Sequence, residues 1–199
     1  LASETAINID KEELVKDMFR CGLIGALIEA NLFPNSKMTK YSVGIFRLVI
    51  KHETIDPIVY PQEWTFSMLQ NAATTVLKVA SVARNYGYNM KDCHSLNILF
   101  EGTNAKYIDL GSFDPNMPST TGWKPYMEFM RCYYYPLYIW NQTNDYFGKM
   151  LIFSGNLVNT YDFYTFKYKA LKSLPAKITK RLIQLRHAEY QLTVSDRMR

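Results

Sequence analysis

The stretch from Asp92 to Gly111 constrains the fold more than any other part of the chain. It reads Asp92-Cys93-His94-Ser95-Leu96-Asn97-Ile98-Leu99-Phe100, then a Glu-Gly-Thr-Asn turn, then Ala105-Lys106-Tyr107-Ile108-Asp109-Leu110-Gly111. Residues 97–100 and 106–109 are short apolar runs joined by a Gly-containing turn, the pattern of a hairpin. Such a hairpin carries Asp109 back to the loop that holds Asp92 and Asn97. Phosphoryl transfer to a hydroxyl needs a set of this kind. One carboxylate orients the attacking hydroxyl, while a second oxygen ligand and a second carboxylate hold magnesium against the phosphates. The spacing therefore points to Asp92 as the group that accepts or orients the hydroxyl proton, and to Asn97 and Asp109 as magnesium ligands. A D-x-x-x-x-N spacing or a strand ending in Asp-Leu-Gly says little alone. Their coupling through one hairpin is the signal.

Neighbouring residues divide between chemistry and packing. Lys91 adjoins the base and has the charge to neutralise phosphate, though a loop Lys on the surface has the same appearance. His94 holds the loop or meets a ligand, and a loop-packing His is the reading preferred here. Cys93 beside Asp92 reads as a packed loop thiol in preference to a nucleophile. No Gly-rich phosphate loop precedes this region. Lys51 resembles the nucleotide-clamping Lys of a kinase strand, but only thirteen residues separate it from the next long helix. It reads as an ordinary strand-end Lys.

That helix is the strongest element of the sequence. Apolar residues at 64, 68, 69, 72, 73, 76, 79, 80 and 83 keep helical spacing, and Gly87 suits its C-terminal cap. Upstream, Asp10 is a candidate N-cap with Glu12 and Glu13 in the first turn, predicting a helix to about Cys21. A shorter helix is expected over 24–30, and strands over 42–51 and 57–60. Downstream, Pro115 and Pro118 mark a loop to about Gly122. A helix from Lys124 should break or kink at Pro136. Further helices are expected over 145–153 and 175–190.

The chain has 199 residues, 48% hydrophobic and 15% aromatic, which suits one globular domain with a real core. Three widely spaced cysteines, Cys21, Cys93 and Cys132, form neither a zinc pattern nor a disulfide framework, which favours a reducing compartment. A first residue Leu1 suggests a fragment or a processed product. No signal-peptide pattern opens the sequence given and no apolar run reaches bilayer length, so a cytoplasmic location without a transmembrane segment is expected. The net charge of +5 is unevenly placed: residues 164–199 hold nine Lys or Arg against two acids, leaving −2 on the first 163 residues. This segment reads as a solvated helix face. It has only Tyr164, Phe166, Tyr168 and Tyr190 for base stacking, so no specific nucleic-acid recognition is expected.

The Asp92-x-His94-x-x-Asn97-Ile98-Leu99-Phe100 stretch resembles the catalytic loop of the aminoglycoside and choline kinase-like phosphotransferases. A closer resemblance is to the kinase-like domain linked to SAM-dependent methyltransferases and related to the nodulation protein NoeA. Its carriers are Tyr60-Pro61-x-Glu63-Trp64-x-Phe66-x-Met68-Leu69-x-x-Ala72-Ala73, then Gly87, Lys91-Asp92, Asn97, Phe100, Ile108-Asp109 and Ser112-Phe113. Tyr126, Phe129 and Pro136-Leu137 continue it, and the segments 22–24 and 32–34 also fit. One departure is Met90, which stands where the related loops usually carry a His.

The resemblance implies an α+β, protein-kinase-like fold. Residues 1–62 would form a reduced N-terminal lobe with a small antiparallel sheet, and 63–199 a mainly helical C-terminal lobe. ATP and Mg²⁺ would be the cofactors, the nucleotide lying beside 59–64 with Glu63, Trp64 and His94 as contacts. Lys91 would act with Asp92 in catalysis. The implied activity is phosphotransfer to a small-molecule or glycan hydroxyl in glycan biosynthesis, alongside a SAM-dependent methyltransferase domain or subunit. The alternative is a catalytically inactive, pseudokinase-like module that scaffolds or regulates such a methyltransferase. The absent phosphate loop favours the alternative, and the retained Asp92, Asn97 and Asp109 favour the enzyme.

Overall fold

The computed structural model of the chain describes residues 4–115, 122–153 and 158–168, together with residue 184. These residues form a mixed α+β structure of small antiparallel sheets and helices.

Strand β1 (Glu4–Ile7) leads through a 3-10 turn (Ile9–Lys11) into helix α1 (Glu12–Arg20). Asp10 falls inside the 3-10 turn and does not cap the helix, which begins at Glu12 after Lys11. Glu12 and Glu13 still occupy the positive end of the helix and bond Lys16 Nζ at 2.6 and 3.0 Å. Gly22 separates α1 from α2 (Leu23–Glu29) at φ +87°, a left-handed conformation that a side chain resists. Val15 and Met18 of α1 and Leu23, Ile24 and Leu27 of α2 are buried.

Strands β2 (Ser36–Met38) and β3 (Leu48–His52) complete a sheet of order β1-β3-β2, antiparallel throughout. Ile7 faces Leu48, and Ser36 faces His52. The buried His52 ring ties the three strands together, with Nδ1 2.8 Å from Ser36 Oγ and Nε2 3.1 Å from Thr5 Oγ1. The sheet differs from the expected one. Regular pairing starts only at Leu48, with an isolated bridge between Val43 and Phe46 before it. Residues 57–60 form no strand, because their backbone is satisfied elsewhere. Val59 O accepts from Trp64 Nε1 at 3.3 Å, and Tyr60 N donates to Glu63 Oε2 at 2.8 Å.

After a 3-10 turn (Pro61–Glu63) comes α3 (Phe66–Asn85). It starts two residues later than its periodicity predicts, because Thr65 Oγ1 caps it from Met68 N while Trp64 stays extended. Leu69, Ala72, Ala73, Val76, Val79 and Ala83 form its buried face, on which the following hairpin lies. Strands β4 (Tyr88–Met90), β5 (Ile98–Glu101) and β6 (Asn104–Tyr107) follow, then a 3-10 turn (Leu110–Ser112) and β7 (Phe113–Pro115), which pairs with β4. The β5–β6 hairpin is there, one or two residues shifted from the expected bounds. Asn97 and Asp109 thus sit just outside its ladder.

The remaining helices are α4 (Tyr126–Phe129), a π-helical turn (Met130–Tyr134), α5 (Tyr135–Gln142), α6 (Asp145–Phe153) and α7 (Thr160–Lys167). Pro136 sits in the first turn of α5, where a missing N–H is tolerated, and the π turn absorbs the disturbance. α6 matches the expected bounds. It packs on α5 so closely that a Cβ on Gly148 would lie 2.1 Å from the Trp140 ring. Apart from residue 184, the expected helix over 175–190 lies outside the described residues, as do Pro118 and most of the basic segment.

One buried cluster runs from Ile7 of β1 through α1, α2, α3 and the hairpin to Trp140 of α5. It crosses the expected lobe boundary at residue 62 without a break. A smaller cluster joins α5 and α7, with the Tyr135 and Phe163 rings stacked at 4.0 Å. No helix among the described residues is long and apolar enough to cross a membrane.

Candidate functional site

The loop between β4 and β5 is held at nearly every residue. Lys91 N donates to Ser112 O at 2.7 Å, and the Tyr107 hydroxyl donates to Asp92 O at 3.3 Å. Both backbone groups of Cys93 are taken: its N–H by the Glu128 carboxylate, its carbonyl by the Tyr133 hydroxyl at 2.9 Å. Ile108 N donates to Asn97 O at 2.9 Å, which ties the end of the loop to the returning strand. Met90 is a buried strand residue facing Phe113. Here Tyr107, Glu128 and Tyr133 anchor the loop.

This scaffold brings Asp92, Asn97 and Asp109 together. Asn97 Nδ2 donates to Asp92 Oδ1 at 2.6 Å. Ser112 Oγ lies 2.9 Å from the same Asp92 oxygen and also bonds Asp109 Oδ2. The other Asp109 oxygen accepts from Gly111 N at 2.7 Å. A hydroxyl has one hydrogen, so it can donate to only one of two ionised carboxylates at a time. Two half-buried carboxylates thus meet on one fully buried hydroxyl with only neutral donors between them. A cation relieves such an arrangement. Because Asn97 spends Nδ2 on Asp92, its Oδ1 is the end left to meet one.

The donor set is carboxylate and amide oxygen, the hard ligands that suit magnesium. Among the described residues, no cluster of three or more His, Cys, Asp or Glu could hold a metal. A magnesium ion here would therefore complete its shell from water and phosphate oxygens, as it commonly does.

Two cations flank the carboxylates. Lys11 Nζ donates to Gly111 O at 3.3 Å, having reached across from the start of α1. Lys91 Nζ is 3.5 Å from Asp114 Oδ1 and close enough to Lys11 for the two charges to act on each other. Lys91, with burial added, holds the Lys11 pKa below its ordinary value. Burial also works against the Lys91 ammonium, but the carboxylates of Asp114 and Asp92 outweigh it and raise its pKa.

The other sequence-derived candidates lie elsewhere. Glu63 Oε2 is committed to Tyr60 N, and its backbone carbonyl accepts from Lys149 Nζ at 3.0 Å. Trp64 is fully buried with its ring edge-on to Phe100 at 5.4 Å. His94 Nδ1 accepts from Leu96 N at 3.2 Å, which makes the ring a brace for its own loop. Trp64 and His94 border a cleft of about 90 Å³ together with Gln62, Leu96, Arg131 and Pro136, and Asp92, Asn97 and Asp109 do not line it. Burial pushes the Cys93 thiol well above its ordinary value, so it stays protonated and is no nucleophile.

Sequence reasoning missed Lys11, Glu128 and Tyr133, and gave no role to Ser112 or Tyr107. Ser112 carried a signal, since it follows the Asp109-Leu110-Gly111 turn directly. Lys11 carried none, being a hundred residues from its partner.

No protein-family profile matches the chain. Over 94 residues, 47% of its length, the chain is 29% identical to the nodulation protein NoeA of Rhizobium meliloti (strain 1021). The match spans 20% of that protein's length. The chain is thus related to the nodulation protein NoeA over part of its length.

Proposed function

We propose that this chain is a kinase-like phosphotransferase domain that uses ATP and Mg²⁺ on the hydroxyl of a small molecule or glycan. The observation that carries the reading is the meeting of Asp92, Asn97 and Asp109 on the Ser112 hydroxyl. Asp92 orients the attacking hydroxyl and takes its proton. Asn97 Oδ1 and Asp109 would hold magnesium, which would supply positive charge against the phosphates. Lys11 and Lys91 would neutralise phosphate charge, a role that Gly-rich loops and clamping lysines fill in kinases. The setting proposed for this activity is glycan chemistry, next to a SAM-dependent methyltransferase partner and inside the cell, as the sequence resemblance implies.

The test compares Asp92→Asn with Asp109→Asn, each checked for folding. Asp109→Asn removes a charged magnesium ligand, so Mg²⁺-dependent ATP binding and turnover should fall together. Asp92→Asn should spare binding and lower turnover by roughly 10²–10⁴-fold, the usual contribution of a general base. If both folded variants keep full activity in the parent pathway, the scaffold reading replaces the enzyme.

A further inference from the structure

The cleft bordered by Gln62, Trp64, His94 and Arg131 holds a feature that the proposed phosphotransfer does not use. Arg131 Nε is buried and, among the described residues, has no hydrogen-bond partner. Among the described residues Arg131 forms no ion pair, and Glu128, one turn before it, accepts through Oε2 from Cys93 N. Arg131 sits in the π-helical turn Met130–Tyr134, a local widening that is often found at functional sites. A guanidinium that loses water at one nitrogen and gains nothing in return is destabilising. Its fork of donors suits an oxyanion.

The rest of the wall selects the rest of the ligand. Trp64, Leu96, Pro136 and Leu151 make the lining largely apolar, while Gln62 and His94 add polar groups. Since His94 Nδ1 accepts a hydrogen bond, the neutral ring carries its hydrogen on Nε2, which is a second donor. A cleft of about 90 Å³ admits a small branched acid but no large ring system.

We propose that this cleft binds a carboxylate carried on a short apolar stem, with Arg131 as its counter-ion. His94 and Ser95 belong both to the cleft and to the loop between Asp92 and Asn97. Identifying the carboxylate as one end of the phosphate acceptor rests on the phosphotransferase reading. The binding itself does not.

Saturation-transfer NMR on the whole chain in EDTA, without nucleotide, tests the site separately from catalysis. The probes are isobutyrate, its neutral isostere isobutyramide, and inorganic phosphate. Isobutyrate should bind at least about tenfold more tightly than isobutyramide, because only the acid forms the charge-assisted pair. Arg131→Met should abolish that preference and unfold at the same temperature as the parent or higher, since it removes an unpaired buried donor. Leu96→Trp, at the exposed mouth, should block isobutyrate without touching Arg131. Equal binding of acid and amide overturns the proposal. So does phosphate binding as tightly as isobutyrate, or retention of isobutyrate by a folded Arg131→Met chain. Should that variant fail to fold, Leu96→Trp decides: lost binding supports the site, and retained binding removes it.

Discussion

Replacing Ser112 by Ala isolates the electrostatics of the carboxylate pair. The Oγ of Ser112 lies within hydrogen-bonding distance of both Asp92 and Asp109, and the residue is fully buried. Alanine fits the same space, so packing is kept and the hydroxyl alone is lost. A hydrogen bond to a charged group contributes about 1.5–3 kcal/mol. Solvent reaches both aspartates and Asn97 Nδ2 still serves Asp92 at 2.6 Å, so the lower half of this range applies. The loss is about 1.5–2 kcal/mol, or a fall in Tm of roughly 3–8 °C for a domain of this size. Magnesium should recover part of this loss, because a cation between the carboxylates replaces the missing donor. The assay is urea unfolding of parent and variant at pH 7, each in EDTA and in saturating MgCl₂. Equal stability of the two proteins in EDTA would refute the shared-hydroxyl argument. Failure of magnesium to stabilise either protein would refute the cation site.

Two further outcomes follow from buried groups. Cys21 is exposed, whereas burial raises the Cys93 thiol far out of reach and the Cys132 thiol to about 12. Iodoacetamide at pH 8 should therefore label Cys21 alone in the native protein, and peptide mapping that finds Cys93 labelled at a comparable rate would contradict the packed loop. Burial holds the His52 pKa below its ordinary value. The unfolded chain then takes up the proton first as pH falls below about 6.5, so stability is full above that pH and declines below it. Urea unfolding between pH 7.5 and 5 should show this decline, with a shallower slope in a folded His52→Gln chain. Identical slopes would discount the ring that ties the three strands.

Much of this arrangement is legible in one dimension because its causes are local. The period of apolar residues in α3, the Gly-containing turn between β5 and β6, and the spacing of Asp92, Asn97 and Asp109 act within some twenty residues each. Their physical basis is side-chain direction and turn geometry, so the sequence by itself determined the helix, the hairpin and the three polar residues. It did not determine the partners of β3. Its neighbours, Glu4–Ile7 and Ser36–Met38, are too short to show alternation, and they exist as strands because β3 offers them hydrogen bonds. Residues 57–60 look like a strand and are not one, since Trp64 and Glu63 satisfy the backbone that a ladder would have used. Tertiary structure alone brought Lys11 to Gly111 and drew Glu128 and Tyr133 onto Cys93. It also left Arg131 Nε without a partner among the described residues, beside an apolar cleft. Such contacts depend on loop closure over tens of residues, and no local pattern encodes which distant group arrives.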